Sequence, residues 1–188
     1  MALAPFKNLS FVCNNRELEL CTLHSLHANG LHRFIQSNFN RFIGPFPVTA
    51  TSLNISLAEA RGWVAEKRSQ NRENKALQLV CSIPSGEVVA MVSAFNFDWR
   101  TPRCEVSYMV DKEWEGTGLA SFCLKQLIEH LQSQCGVIKI LCRVDPENHR
   151  SLRLAESLGF QREGLHRCDF RNGHGRLLDV VYYGLVKE

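Results

Sequence analysis

The stretch that decides the fold runs from Tyr108 to Phe160 and reads YMVDKEWEGTGLASFCLKQLIEHLQSQCGVIKILCRVDPENHRSLRLAESLGF. In order, it predicts a strand, a glycine loop, a long helix, a second strand, a polar turn and a short helix that ends at Gly159. Gly116 and Gly118 lie just before the long helix, where residues without a Cβ allow a tight turn and the close approach of a ligand. The first turn of that helix has backbone N–H groups without a helical partner, at the positive end of the helix dipole. Such a site suits a phosphate or pyrophosphate group.

The glycine loop does not match the two best-known phosphate motifs. A dinucleotide fingerprint needs a third glycine where this chain has Ser121, and a P-loop needs a Gly-Lys pair that the sequence lacks. A tight turn without a ligand is the alternative explanation of the two glycines. The loop therefore indicates either a plain turn or a site for a different phosphate-bearing ligand.

Two short motifs in this stretch resemble those of a known enzyme family. The residues from Glu115 to Ala120 resemble the [QR]-x-x-G-x-[GA] loop of the GNAT superfamily of N-acetyltransferases, with Glu115 where Gln or Arg is usual. Asn148-x-x-Ser151, followed by Gly159-Phe160, resembles the N-x-x-[AS]…G-F element of the same superfamily. The resemblance implies that acetyl-CoA is a cosubstrate and that the glycine loop holds its pyrophosphate.

Further segments resemble one branch of that superfamily, the RimJ/RimL type. Ala155 stands where many relatives carry a proton-donating tyrosine, and the segments CEVSYMV, CRVD and DFRNGHGRLLDVVYYGL complete the similarity. The resemblance implies acetylation of a protein N-terminal α-amine of the ribosomal-protein type. Two alternatives stay open, namely acetylation of a small amine (an aminoacyl compound, polyamine or antibiotic) and a non-catalytic acyl-CoA-binding module. By the same analogy, the protein is expected in the cytoplasm and as a homodimer.

Composition limits the other classes of function. The 188 residues predict one domain over 1–188, and the net charge of +3 (22 basic minus 19 acidic) is too small to suggest nucleic acid as a partner. No apolar run approaches the length of a membrane helix, so no membrane partner is expected. The 8 cysteines include no C-x-x-C pair, which favours reduced thiols in a cytosolic protein. The Cys21, His24 and His27 cluster lacks a fourth ligand nearby, so no metal is expected.

The hydrophobic pattern predicts the order β-αα-βββ-α-β-α-ββ. This order resembles that of the GNAT superfamily, so we expect an α+β fold of the GNAT type, with a central mixed but mostly antiparallel sheet and helices on both faces. Residues 1–15 are predicted to be a lead-in without an assigned element. Residues 41–54 and 169–175 are predicted to be loops, because both contain glycine together with proline or asparagine. The resemblance implies that these two loops flank the acceptor site.

The resemblance also implies which residues bind the cofactor. The backbone amides of Met109, Val110 and Asp111 are expected to pair with the acetyl or pantetheine group. The glycine loop is expected to surround the pyrophosphate through Glu115, Gly116, Thr117, Gly118, Leu119 and Ala120. Asn148 and Ser151 are expected near the pantetheine arm and the sulfur atom, although both residue types also cap helices without any further role.

Catalysis and acceptor binding have several candidates. Ser151 is the expected hydrogen-bond or proton donor to the departing thiolate, because Ala155 has no proton to give. Asp169 and Glu105 compete as the base that receives a proton from the amine, directly or through water. Phe42, Phe46 and Tyr108 are the candidate acceptor-binding side chains; core packing is the alternative for all three. The sequence does not indicate whether the acceptor loops form a deep pocket or an open groove.

Overall fold

The computed structural model describes residues 2–187 and contains one eight-stranded sheet with five α-helices. The strands are β1 (Leu9–Cys13), β2 (Arg16–Thr22), β3 (Leu77–Ser82), β4 (Val88–Asp98), β5 (Arg103–Val110), β6 (Lys139–Val144), β7 (Gln161–Arg171) and β8 (Leu177–Val186). The helices are α1 (His27–Phe42), α2 (Pro47–Asn54), α3 (Leu57–Arg72), α4 (Leu119–Ser133) and α5 (His149–Ser157), with a short 3-10 turn at Lys112–Trp114. The α+β class with a mixed sheet is confirmed.

The sheet order is β1-β2-β3-β4-β5-β6-β8-β7. Neighbouring strands run antiparallel, except that β5 and β6 are parallel. The β5–β6 pairing is short and joins only residues 103–105 with residues 139–141. Beyond that point β5 continues to Val110 and β6 to Val144 without further pairing, which leaves a wedge-shaped opening in the sheet. We call this opening the strand gap.

Two hydrophobic cores cover the faces of the sheet. On one face, α4 buries Cys123, Leu127 and Leu131 against β3 to β6, because its apolar residues recur at helical spacing. On the other face, α1, α2 and α3 bury a second cluster over β3, β4 and β5. The strand gap therefore opens between two separately packed layers. Within residues 2–187, no helix has both the length and the apolar character needed to cross a membrane.

Several short sequence signals determine local structure. Ser56 caps α3 by accepting a hydrogen bond from the backbone N–H of Glu59 at 3.2 Å, and the Glu59 side chain pairs back with the serine hydroxyl. Gly159 follows α5 with φ of 87°, which is the left-handed conformation expected after a helix. Residues 84–86, with the sequence Pro-Ser-Gly, lie in the turn that joins β3 and β4.

The structure corrects two predictions in the first third of the chain. Residues 1–15 contain a strand, β1, which forms a hairpin with β2; Asn14 and Asn15 both adopt positive φ at the turn, as a two-residue hairpin requires. Residues 41–54 contain the helix α2 and are not simply a loop. Pro47 stands at the start of α2, where its missing N–H costs no helical hydrogen bond, and two inward residues of the helix, Ala50 and Leu53, are fully buried.

The last hairpin is longer than predicted. β7 extends to Arg171, so that Asp169 lies within a strand and does not begin a loop. The register between β7 and β8 shifts between His166 and Phe170, and Cys168 adopts a positive φ of 53° in this bulge. The bulge sets the direction in which Asp169 points, and sequence periodicity alone does not reveal it.

Candidate active site

The glycine loop has the geometry of an anion site. Gly116 and Gly118 have φ of 75° and 84°, and a Cβ built on either residue would meet no other atom within 4 Å. The space above the loop is therefore open to a ligand. The first α4 hydrogen bond runs from Phe122 N to Gly118 O, so the amides of Ala120 and Ser121 have no helical carbonyl partner, while the Leu119 amide donates to the Thr117 hydroxyl at 3.4 Å. These features fit the pyrophosphate of acetyl-CoA.

Two arginines bring positive charge to the glycine loop, although Glu115 itself is acidic. One of its carboxylate oxygens contacts the guanidinium of Arg41 at the end of α1, and the other lies 2.5 Å from Nη1 of Arg150 in the first turn of α5. Two arginines, held by one carboxylate, thus lie beside the unpartnered amides. These two arginines supply the positive charge that an arginine at position 115 would have supplied. The motif alone does not predict the two arginines, because they lie far from it in the sequence.

The backbone amides of Met109, Val110 and Asp111, at the end of β5 and just after it, differ in their access to the strand gap. The amide of Asp111 donates to the Val89 carbonyl of β4 at 2.9 Å, and its carboxylate accepts from Asn38 and from the Glu113 amide. Amides along an antiparallel strand alternate in direction, so Met109 also faces β4 and Val110 faces the gap. The amides of Met109 and Asp111 are therefore used in pairing with β4, and the predicted contact with the cofactor stays a prediction for the Val110 amide.

Asn148 and Ser151 stand at the start of α5, beside the strand gap. The Asn148 side chain accepts a hydrogen bond from the Ser151 amide at 3.1 Å, so its carbonyl oxygen caps the helix while its NH₂ group keeps its donors. The Ser151 hydroxyl lies 2.7 Å from the Tyr108 hydroxyl of β5. Ala155 is buried one turn later and offers no polar group.

Tyr108 remains protonated in this position. Burial raises its pKa, because a tyrosinate is poorly stabilised away from water, although the hydrogen bond to Ser151 opposes part of this rise. A protonated phenol donates a hydrogen bond to Ser151, which can then direct its own hydroxyl hydrogen into the gap. Tyr108 packs against the core on the α4 face, beside the predicted donor Ser151, and its predicted role in acceptor binding stays a prediction.

Glu105 lies on β5 at the edge of the strand gap. Its Oε1 accepts a hydrogen bond from Nε of Arg143 at 2.7 Å, and its Oε2 accepts one from the side-chain Nδ2 of Asn96 at 3.1 Å. Burial lowers the pKa of Arg143, but the hydrogen bond and charge of Glu105 outweigh that effect and the net shift is upward, so Arg143 stays charged. The carboxylate of Glu105 is therefore held in one orientation on the gap.

Asp169 lies farther out than predicted. It sits on β7, where its Oδ2 accepts from the Tyr182 hydroxyl at 2.6 Å and lies 4.0 Å from Nη1 of Arg143. Arg143 therefore links the two candidate bases. His166 stacks on Tyr182 at 4.0 Å between ring centroids, which fixes the far side of this network.

The two predicted acceptor loops touch each other. The amide of Gly173, in the β7–β8 turn, donates to the carbonyl of Gly44, in the α1–α2 connection, at 3.2 Å. A Cβ at Gly173 would collide with the Ile43 carbonyl oxygen, so glycine is required for this approach. Phe42 and Phe46 pack edge to face at 6.3 Å beneath the contact, with Phe42 buried in the core. The loops thus form a bridge and not two separate walls.

A cavity of about 1490 Å³ joins these parts, from the glycine loop to α3. The predicted residues that line it are Phe42, Phe46, Glu105, Tyr108, Met109, Val110, Glu115, Gly116, Gly118, Leu119, Ala120, Asn148 and Ser151. Asp111, Thr117 and Asp169 lie outside its lining. The structure adds Arg41, Arg143, Arg150, Asp179 and Gln78, which the sequence analysis missed as individual site residues.

Cys142 also lines the cavity, but its thiol is poorly suited to act as a nucleophile. Burial, with a contribution from Glu105, raises its pKa to about 12, so the thiolate is scarce at neutral pH. Within the described part of the chain, no group of three or more His, Cys, Asp or Glu side chains is arranged to hold a metal ion. The chemistry available at the site is hydrogen bonding, proton transfer and anion binding.

Comparisons with known proteins show the family to which the chain belongs. Residues 17–161 match the acetyltransferase (GNAT) domain family. The chain is 30% identical over 147 residues to the uncharacterized N-acetyltransferase p20 of Bacillus licheniformis, covering 76% of this chain and 82% of the relative. In fold it is similar to the ribosomal-protein-S5-alanine acetyltransferase of Vibrio fischeri, with a TM-score of 0.86, 16% identity and coverage of 96% and 97% of the two chains. It is also similar to RimL, a ribosomal α-N-protein acetyltransferase solved with coenzyme A, at a TM-score of 0.82, 18% identity and coverage of 95% and 98%.

The strand gap lies beside the glycine loop and the start of α4, the geometry expected of a site for a phosphate-bearing cosubstrate. The protein belongs to the GNAT acetyltransferase family and is an acetyl-CoA-dependent N-acetyltransferase. The fold and the RimJ/RimL resemblance expected from the sequence are both confirmed.

Proposed function

We propose that this enzyme transfers the acetyl group of acetyl-CoA to the N-terminal α-amine of a protein, by direct attack of the amine in a ternary complex. The observation that carries the proposal is the strand gap, which joins the glycine loop on one face of the sheet to Glu105 on the other. Donor and acceptor can therefore enter from opposite sides and meet between β5 and β6. The protein-modifying relatives named above support the choice of acceptor.

The residues have separable roles in this proposal. The free amides at the start of α4, together with Arg41 and Arg150, hold the cofactor phosphates. The Val110 amide and the Asn148 NH₂ group hydrogen-bond the pantetheine arm in this proposal. When bound, acetyl-CoA supplies an activated acetyl thioester. Ser151, backed by Tyr108, donates a hydrogen bond or proton at the sulfur position.

Glu105 is the base that we favour, because it lines the cavity and Asp169 does not. Demands on the base are small for an α-amine. With a pKa near about 7.8, roughly one α-amine in seven is already neutral at pH 7, compared with about one lysine amine in 2,500. Holding the amine in line with the donor therefore accounts for most of the rate enhancement.

A second candidate acceptor is a small amine. The hydrogen bond between Gly173 and Gly44 favours it, because a bridge across the acceptor side encloses the entrance more than an open groove would. The predicted cytoplasmic location and homodimer belong to this proposal as expectations and do not distinguish the two acceptors.

The test is release of CoA from acetyl-CoA with three acceptors. The first is a Ser-initiated peptide, the second is the same peptide with a blocked N-terminus and one lysine, and the third is a mixture of small aminoacyl compounds and polyamines. We expect rapid release with the free N-terminus and little with the blocked lysine peptide. Release with the small amines alone would replace the proposed acceptor by the second candidate. The fully blocked peptide without lysine is the control for hydrolysis.

A further inference from the structure

A row of polar side chains crosses the acceptor face of the sheet. Gln78 of β3 lies opposite Ser93 of β4, and Ser93 lies opposite Ser107 of β5. The neighbouring row on the same face of the sheet is apolar and belongs to the core beneath α1 to α3. It consists of Val80, Met91 and Met109. We call Gln78, Ser93 and Ser107 the polar row. It begins two residues from Glu105 and leads away from the strand gap toward α3.

The polar row has no protein partners for its side chains. Gln78 is only 4% exposed, yet its carboxamide makes no hydrogen bond to any described residue, and the same holds for the Ser93 and Ser107 hydroxyls within residues 2–187. All three residues line the cavity, so their polar atoms face the space that an acceptor would enter. Within residues 2–187 no fully buried side-chain N or O atom lacks a hydrogen-bond partner, so these polar atoms are reached from the cavity and can hydrogen-bond an acceptor there.

The α3 end of the row is positively charged. Lys67 lines the cavity beside Trp63, with its Nζ 5.7 Å from the centre of the indole ring and 3.0 Å from Oε1 of Gln70. Lys67 makes no ion pair with a described residue, whereas Lys75 nearby is paired with Glu73. The carboxylates that line the cavity belong to β5, to the glycine loop and to the β6 and β8 side. Lys67 is therefore an available cation at this end.

We propose that the polar row and Lys67 form an acceptor subsite that recognises a carboxylate in the acceptor, about three residues from the reacting amine. Adjacent strands lie about 4.8 Å apart, so the row spans roughly 10 Å from Ser107 to Gln78. An extended peptide covers that distance in about three residues. Ser107, Ser93 and Gln78 pair with the polar groups of the acceptor along the way, and Lys67 pairs with the carboxylate at the end. This inference rests on the proposed function and specifies its substrate class.

The carboxylate can come from two sources, and the experiment separates them. The first set of acceptors consists of long peptides that begin Ser-Ala-Glu, Ser-Ala-Gln or Ser-Ala-Lys and are otherwise identical. The second set consists of the tripeptide Ser-Ala-Ala with a free C-terminal carboxylate and with an amidated one. We expect kcat/KM to follow the order Glu, Gln, Lys in the first set. A preference for the free tripeptide in the second set would identify a terminal carboxylate as the source.

Three variants connect the preference to the proposed residues. Lys67→Gln should lower kcat/KM for the peptide that contains Glu by about 3- to 10-fold, which removes the preference for the acidic acceptor. The kcat/KM of the neutral Gln peptide should stay within about twofold of the wild-type value. Gln78→Leu should raise the KM of every peptide by about 10-fold and leave the KM of acetyl-CoA unchanged. Arg61→Gln is the matched control, because Arg61 is an exposed residue of α3 that does not line the cavity.

The outcomes separate this inference from the proposed function. Equal turnover of the three long peptides and of the two tripeptides would overturn the subsite alone, as would a charge preference that survives in Lys67→Gln. Absence of turnover with every peptide, while small amines without a carboxylate react, would overturn the proposed acceptor and the subsite together.

Discussion

At the scale of single residues, the site depends on how each carboxylate is held. Glu105 and Asp169 share Arg143, but they face different surroundings. Glu105 is bound at both oxygens and faces the cavity, whereas Asp169 accepts from Tyr182 on an exposed strand. A base must reach the amine directly or through one water molecule. Position therefore favours Glu105 as the proposed base, and Asp169 contacts this network only through the tyrosine and the Arg143 guanidinium, 4.0 Å away.

Exchange of each carboxylate for its amide tests this assignment. Glu105→Gln should lower kcat by about 10- to 100-fold at pH 7, because the group that receives the amine proton is removed. The deficit should narrow above pH 8, where most of the α-amine is already neutral. Asp169→Asn should change kcat by less than about threefold. Steady-state rates across pH, with acetyl-CoA affinity as a check on folding, measure both; a larger loss in Asp169→Asn would reverse the assignment.

At the scale of elements, the acceptor side is built by two segments that sequence patterns described poorly. Gly44, Pro45 and Pro47 indicated a loop, but α2 begins at Pro47 because burial of Leu53 against α1 and α3 stabilises a helix that its local sequence does not specify. The β7 bulge likewise depends on pairing with β8, which lies across a turn. Local signals located the glycine loop, the α3 cap and the α4 face, since these depend on neighbours within one turn.

Gly173→Ala tests the bridge between these two segments. The added methyl group would collide with the Ile43 carbonyl, so the β7–β8 turn must move away from Gly44 and lose its hydrogen bond. We expect the acceptor KM to rise several-fold while the KM of acetyl-CoA stays constant, because the bridge lies on the acceptor side. Gly164→Ala is the matched control, since a Cβ there meets nothing within 4 Å. Unchanged acceptor kinetics in Gly173→Ala would mean that the bridge does not shape acceptor binding.

At the scale of the whole molecule, the function depends on contacts between residues far apart in the chain. The motif in residues 115–120 predicted the cofactor site, but the arginines that surround Glu115 come from α1 and α5, on opposite sides of the sheet. No spacing rule connects positions 41, 115 and 150. The polar row has the same origin, because Gln78, Ser93 and Ser107 meet only through strand register. Sequence motifs therefore predicted the glycine loop and the Asn148–Ser151 element as a cofactor site, but they did not predict the arginines or the polar row that line the same cavity.

The stability of the whole fold should depend on pH through a histidine far from the strand gap. His130, near the end of α4, is buried against the N-terminal segment, where its Nε2 lies 3.0 Å from the Ala4 carbonyl and its ring packs on Phe6. Burial lowers its pKa, although the hydrogen bond to Ala4 opposes part of that shift. Just below the ordinary histidine pKa of about 6.5, the unfolded chain therefore binds more protons than the folded protein. The free energy of unfolding should be greatest above that pH and should fall as the pH drops toward the lowered pKa of the folded state.

His130→Gln removes this titration and keeps a side-chain N–H for Ala4. Urea unfolding at pH 7.5 and pH 5.5 should show a smaller loss of stability for the variant than for the wild type. His27, whose pKa burial also lowers, should leave part of the pH dependence in place. His149→Gln, at an exposed position, is the control and should retain the full wild-type loss. An unaltered pH dependence in His130→Gln would show that the N-terminal segment does not hold this histidine in its neutral form, and would place the acid sensitivity of the fold elsewhere.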